Sequence, residues 1–217
     1  MNSSKQDKVM CMQHCSRQEN IFYIDFPLHC PICGLKLQNC QLIVPPFCVP
    51  SPLVSASFMT LSCCILVKQT HGDFLRDYRN GENLHIGITD SKGFVYNYDE
   101  QGVCIEKDNW NQCAVLELES ADSQMWDSVL ERSTKSNTWS SERYHETSLN
   151  CYDYVLSMLK EINKGGFFQD SKQLYSKEEF SKHLIVPLTR KVAKYIELYR
   201  NIKSKGTCVL PFSSGDI

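Results

Sequence analysis

The sequence predicts an α+β fold: an antiparallel β-meander followed by helices, with a small Cys/His segment in front of it. Three observations predict this. Short apolar runs separated by tight turn signals crowd residues 61–117, apolar periodicity of the helical kind begins only after residue 122, and a CxxC pair with further Cys and His lies within residues 10–44.

Taken in order, residues 1–9 are polar and read as a disordered tail. Residues 10–44 form the Cys/His segment, with a strand candidate at 21–26. Pro45, Pro46, Pro50 and Pro52 with neighbouring serines make 45–57 an extended linker. Residues 58–210 are the α+β domain, and 211–217 a C-terminal tail.

Within that domain, 61–67 reads as a buried strand. Residues 84–89 and 94–98 are the arms of a hairpin, turned at Asp90-Ser91-Lys92-Gly93, where glycine supplies the positive φ such turns need. A second turn at 99–102 leads into a strand at 103–106, and 114–117 is one further strand. Asp122 or Ser123 caps a short helix carrying Met125, Trp126, Val129 and Leu130. The polar stretch 133–149 is a loop. Tyr152, Val155, Leu156, Leu159 and Ile162 recur at helical spacing, and Gly165-Gly166 ends that helix. Ser176 and Glu179 form a capping-box pattern. The last helix starts near Pro187, buries Val192, Ile196, Tyr199 and Ile202, and stops at Gly206. Its basic residues, Arg190 to Lys205, read as a solvated face.

Composition narrows the function classes. A formal net charge of -2 gives no electrostatic footprint for nucleic acid. The N-terminus shows no secretory pattern, and no run of about 18 apolar residues predicts an integral membrane segment. Twelve cysteines without a secretory signal point to reduced thiols in an intracellular protein, cytoplasmic or nuclear, and the partner expected is a protein of unknown identity.

Two residue groups carry chemistry. Cys30-Pro-Ile-Cys33-Gly34 aims two thiolates at one cation, and the glycine relieves backbone crowding. Cys11, His14, Cys15, His29 and Cys40 lie near enough in sequence to add ligands, and the expected set is Cys30, Cys33, Cys15 and His14, with zinc as the cofactor that suits it. A thioredoxin-like role is disfavoured, because the motif does not sit between a strand and a helix of a βαβ unit. The second group centres on Cys151. Placed in the first turn of a helix, it faces unpaired N–H groups and the positive end of the helix dipole, which favour a thiolate. His85 on the 84–89 strand is the candidate base, and Asn97 on the other hairpin arm the candidate orienter, since pairing residue i with roughly 183 − i brings them close. His145 is an alternative base. A buried structural cysteine and a core histidine explain the same residues without catalysis.

His85-Ile86-Gly87 on a strand, a hairpin, and a later helix opening Asn150-Cys151-Tyr152-Asp153-Tyr154-Val155 resemble the circularly permuted papain-like group. That group includes lecithin–retinol-acyltransferase-like acyltransferases and desumoylating isopeptidases. The resemblance implies Cys151 as nucleophile, His85 as base and Asn97 as third member, although the second hairpin histidine and the membrane anchor common in those acyltransferases are missing here. Over most of the length, Cys30-Pro-Ile-Cys33, Leu84 to Thr89, Gly93 to Tyr98, Asn150 to Tyr154 and Val186-Pro-Leu-Thr-Arg190 resemble the makorin opposite-strand family, whose name reflects gene position and implies no activity. The sequence leaves open whether the protein is an enzyme. The reading favoured is a non-catalytic interaction scaffold on a papain-like fold. The alternative is a Cys–His thiol hydrolase or acyltransferase acting on an isopeptide, thioester or lipid ester.

Overall fold

Antiparallel sheets and a handful of helices build the computed structural model, which describes residues 7–54, 61–72, 74–79, 81–118, 122–165 and 176–212. The chain divides into two compact units. One holds the residues up to Pro52 together with those from Ala193 onward, and the other is Leu53–Val192.

The first unit contains strands β1 (Met10–Gln13), β2 (Glu19–Tyr23) and β3 (Val44–Cys48), joined by β10 (Thr207–Pro211), the last strand among the described residues. Their order is β10-β2-β1-β3, all antiparallel. Pro45 and Pro46 cannot donate to a ladder, which fits the edge position of β3. Met12, Ile21 and Tyr23 pack with Cys30 and Leu37 of the segment that follows β2, so that segment closes one face of the sheet.

Several expected boundaries differ from this arrangement. The stretch expected as a linker contributes β3 and, at Leu53–Val54, β4. The expected tail at 1–9 includes Val9, which is fully buried and accepts from the Val49 N–H, because β1 begins beside it. At the other end Phe212 donates its N–H to the Gln18 carbonyl, continuing the β10–β2 pairing. The remaining parts of those tails, and Gly166, lie outside the described residues.

The second unit carries β4, β5 (Cys64–Gln69), β6 (Leu84–Thr89), β7 (Val95–Asp99), β8 (Gly102–Glu106) and β9 (Cys113–Glu117) in the order β4-β9-β5-β6-β7-β8. The predicted meander is β5 to β8, and β9 returns to pair on the free side of β5. Gly93, at φ 81°, closes the β6–β7 turn, with the Asp90 carboxylate accepting from the N–H groups of Lys92 and Phe94. Pairs such as Gly87↔Asn97 and Ile88↔Tyr96 place the register one residue from the expected sum. That single step matters, because side chains alternate between faces: it puts Asn97 on the same face as His85.

On that face Leu66, Val95 and Cys64 pack against the fully buried Trp110. Tyr98 points to the other face, where it meets Trp139 at 5.2 Å and Tyr154 of helix α2 (Cys151–Ile162) at 6.1 Å. Helix α1 (Ser123–Ser133) is capped by Asp122 and docks through the indole N–H of Trp126 on the Thr89 carbonyl, 2.8 Å away. Helix α2 (Cys151–Ile162) opens with a capping box. Asn150 Oδ1 accepts from the Tyr152 N–H, and Asp153 reaches back to the Asn150 N–H at 2.9 Å while pairing with Lys177 of α3 (Lys177–Phe180) at 2.7 Å. A π-helical turn at Ser181–Ile185 joins α3 to α4 (Val186–Lys205). It precedes Pro187, which has no N–H to continue the ladder. Gly206, at φ 82°, ends α4. Among the described residues no helix is long and apolar enough to cross a membrane.

Candidate metal centre and the His85 face

The residues expected as ligands converge. The turn after β1 presents His14 and Cys15. The CxxC turn presents Cys30 and Cys33, and one ligand atom from each of the four lies within 4.8 Å of every other. Local backbone bonds shape that turn. The Gly34 N–H bonds the Cys30 carbonyl, the Ile32 N–H points at Cys30 Sγ 3.4 Å away, and Gly34 takes φ 76°. The Leu35 N–H, aimed at the Cys33 sulfur, is the main influence holding that thiol below its usual range.

Two of the spacings match those around a tetrahedral ion. Bond lengths of about 2.3 Å to sulfur and about 2.0–2.1 Å to nitrogen put two thiolates about 3.8 Å apart, and a thiolate and an imidazole nitrogen about 3.6 Å apart. Cys15 Sγ and Cys30 Sγ are 3.8 Å apart, and Cys33 Sγ is 3.5 Å from His14 Nδ1. The nitrogen presented is Nδ1. The other nearby Cys and His residues lie outside this cluster. Cys11 is fully buried in β1, and burial pushes its thiol up to about 11. Cys40 donates to the Lys36 carbonyl, and His29 pairs through its backbone with Lys36.

In the second unit, His85 Nε2 lies 2.9 Å from Asn97 Oδ1. The Asn97 amide donates to the Cys104 carbonyl at 3.3 Å and to Glu106 Oε1 at 3.4 Å, so its oxygen is the acceptor and His85 carries its proton on Nε2. Trp110 donates its indole N–H to the same Glu106 carboxylate at 3.0 Å and lies against the imidazole, with ring centroids 5.6 Å apart. Lys68 Nζ sits 4.4 Å from the centroid of the Trp110 ring. Burial pushes the His85 pKa down, against the upward pull of its Asn97 bond. Glu106 and Trp110 were not among the expected site residues. Strand alternation carries the signal for Glu106, which follows Cys104 by two and so shares the Asn97 face.

Cys151 opens α2 as expected, but its thiol is buried and meets the backbone N–H of Ile86 as well as those of Tyr152 and Cys151. Burial outweighs these bonds and raises its pKa. No hydrogen bond joins Cys151 to His85. Gly87 shares the His85 face, where an added Cβ would meet Trp110, whereas α2 packs on the Tyr98 face. The fold therefore joins His85 to Asn97 and brings Cys151 to the strand backbone beside His85 rather than to its ring. His145 is exposed and bonds Thr147.

Two family profiles cover most of the chain: the DUF4796 C-terminal region matches residues 46–202, and the DUF4796 N-terminal region matches 7–37, which contains all four ligand positions. The MKRN2 opposite strand protein of Homo sapiens is 31% identical over 197 residues, covering 89% of this chain and 85% of that one. The chain belongs to the makorin opposite-strand family. No solved structure matches it. For this member of the makorin opposite-strand family, the family name carries no reaction.

Proposed function

We propose that this makorin opposite-strand family member is a non-catalytic, intracellular interaction protein whose N-terminal unit is held by one structural zinc ion on His14, Cys15, Cys30 and Cys33. The observation that carries the zinc reading is the match of 3.8 Å and 3.5 Å ligand spacings to tetrahedral geometry. The ion ties the turn after β1 to the segment that covers Met12, Ile21 and Tyr23. A unit this small gains folding free energy from such a clamp. None of the twelve cysteines is in a disulfide, which suits a reducing compartment. The second unit serves as a scaffold, a papain-like derivative whose Cys151 thiol is buried and turned to the strand backbone. Metal analysis of the purified protein tests the zinc. One equivalent per chain, lost in Cys30→Ser, supports the reading, and a metal-free wild type with an intact fold overturns it.

One observation favours a second reading. His85 held by Asn97 at 2.9 Å, with Nδ1 left as the lone pair, is the arrangement a general base needs. In that reading Cys151 attacks the carbonyl of an isopeptide, thioester or lipid ester and the N–H groups at the start of α2 hold the oxyanion, which requires the His85 ring, on the sheet face opposite α2, to be brought to the thiol. Rapid alkylation of Cys151 at pH 7 that slows in His85→Ala is its signature.

A further inference from the structure

The zinc ligands differ in how far they are open to solvent, and this has a chemical consequence. Cys15 and Cys33 are exposed, whereas Cys30 is buried at 2% exposure. Cys15 and Cys30 come from different segments, the turn after β1 and the CxxC turn, and their sulfurs are 3.8 Å apart. A disulfide between them would link the same two segments that the ion links.

We infer that the zinc centre is a reversible redox device, in which a peroxide converts Cys15 and Cys30 into a disulfide that takes over the clamp and expels the ion. The inference rests on the zinc reading above. The exposed Cys15 thiolate attacks one peroxide oxygen, forming an S–O bond as the O–O bond breaks, and gives a sulfenic acid and hydroxide. The buried Cys30 thiolate then attacks the Cys15 sulfur, forming the S–S bond and releasing a second hydroxide. Two thiolates and one hydrogen peroxide thus become one disulfide and two hydroxides. Each sulfur gives up one electron, and the peroxide oxygens take both. Zinc, left with Cys33 and His14, has lost half its ligands and dissociates. Cys30 is the resolving thiol because an oxidant cannot reach it directly, and Cys15 rather than Cys33 is its partner because the Cys15 and Cys30 sulfurs already stand at 3.8 Å, whereas Cys33, though within 4.8 Å of both, has His14 Nδ1 at 3.5 Å.

Oxidation and chelation therefore part ways. Removing the ion with a chelator under reducing conditions leaves the two segments unlinked, whereas peroxide removes it and leaves them joined. The test treats the zinc-loaded full-length protein with hydrogen peroxide. A chromogenic chelator follows the ion, peptide mass spectrometry maps the cystine, and near-UV circular dichroism follows the packing. The expected result is one zinc released for each Cys15–Cys30 disulfide formed, near-native circular dichroism, and recovery of the holo form with dithiothreitol and zinc. Cys40→Ser, outside the ligand set, should behave as wild type. Release with a Cys30–Cys33 disulfide, release without any disulfide, or retention of zinc at peroxide concentrations that oxidise free cysteine would each overturn the inference while leaving the zinc reading intact. A protein that carries no zinc as purified would remove both.

Discussion

The imidazole of His85 and the carboxamide of Asn97 meet at 2.9 Å across the β6–β7 hairpin, on the sheet face away from α2. Asn97 is almost fully buried and also serves the Cys104 carbonyl and Glu106, so it organises this face. Replacing it by alanine leaves the His85 N–H and the Cys104 carbonyl without a side-chain partner. Asn97→Ala should cost about 1–3 kcal/mol of stability, read as a lower urea midpoint at unchanged m. A change within error would mean that water satisfies these groups equally well.

The same burial makes the second unit acid-sensitive. The folded-state pKa of His85 lies below the ordinary 6.5, so the unfolded chain binds the proton first as pH falls. Stability from this group is fully present above about 6.5 and is lost as pH falls through the folded value. The drop in melting temperature between pH 7 and pH 5 should shrink in His85→Gln. An unchanged pH profile in that variant would assign the acid sensitivity to other groups.

Gly87 has no room for a side chain. A Cβ there would lie 2.6 Å from Val95 Cγ1 and 2.8 Å from Trp110, both in the core of this face. Gly87→Ala should destabilise by about 1–3 kcal/mol or more through overpacking, and should shift the Trp110 fluorescence signal. A neutral effect would show that the hairpin can slide away from the indole.

Cys151 separates the scaffold from the enzyme. With burial raising its pKa, iodoacetamide labelling at pH 7 should be at least about tenfold slower than for an unhindered peptide thiol, and insensitive to His85→Ala. Fast labelling that depends on His85 would establish the catalytic reading instead.

Much of this arrangement is legible in the sequence. Residues 84–89 match β6, and Asp122 caps α1 as one of two predicted alternatives, because alternation and capping are local signals. The clustering of His14, Cys15, Cys30 and Cys33 is legible as a set because CxxCG fixes two of them and few other Cys or His lie upstream. The edge strand β3 is not legible, since its prolines match a linker equally well and only pairing with β1 distinguishes them. Nor is the union of β10 with β2, a contact between the two ends of the chain that no local pattern encodes. The facing of His85 and Cys151 turned on a one-residue register and on which side of the sheet α2 packs, both of which are decided by tertiary structure.

Metal content is the most direct test of the central claim. Protein expressed in zinc-supplemented medium, purified without chelator and passed through gel filtration should contain one zinc per chain by elemental mass spectrometry. Excess chelator under reducing conditions should remove it and expose the Met12, Ile21 and Tyr23 face to a hydrophobic dye. Protein that contains less than about a tenth of an equivalent, and binds no added zinc, would contradict the account, and His14, Cys15, Cys30 and Cys33 would then be ordinary thiols and an imidazole brought together by the fold.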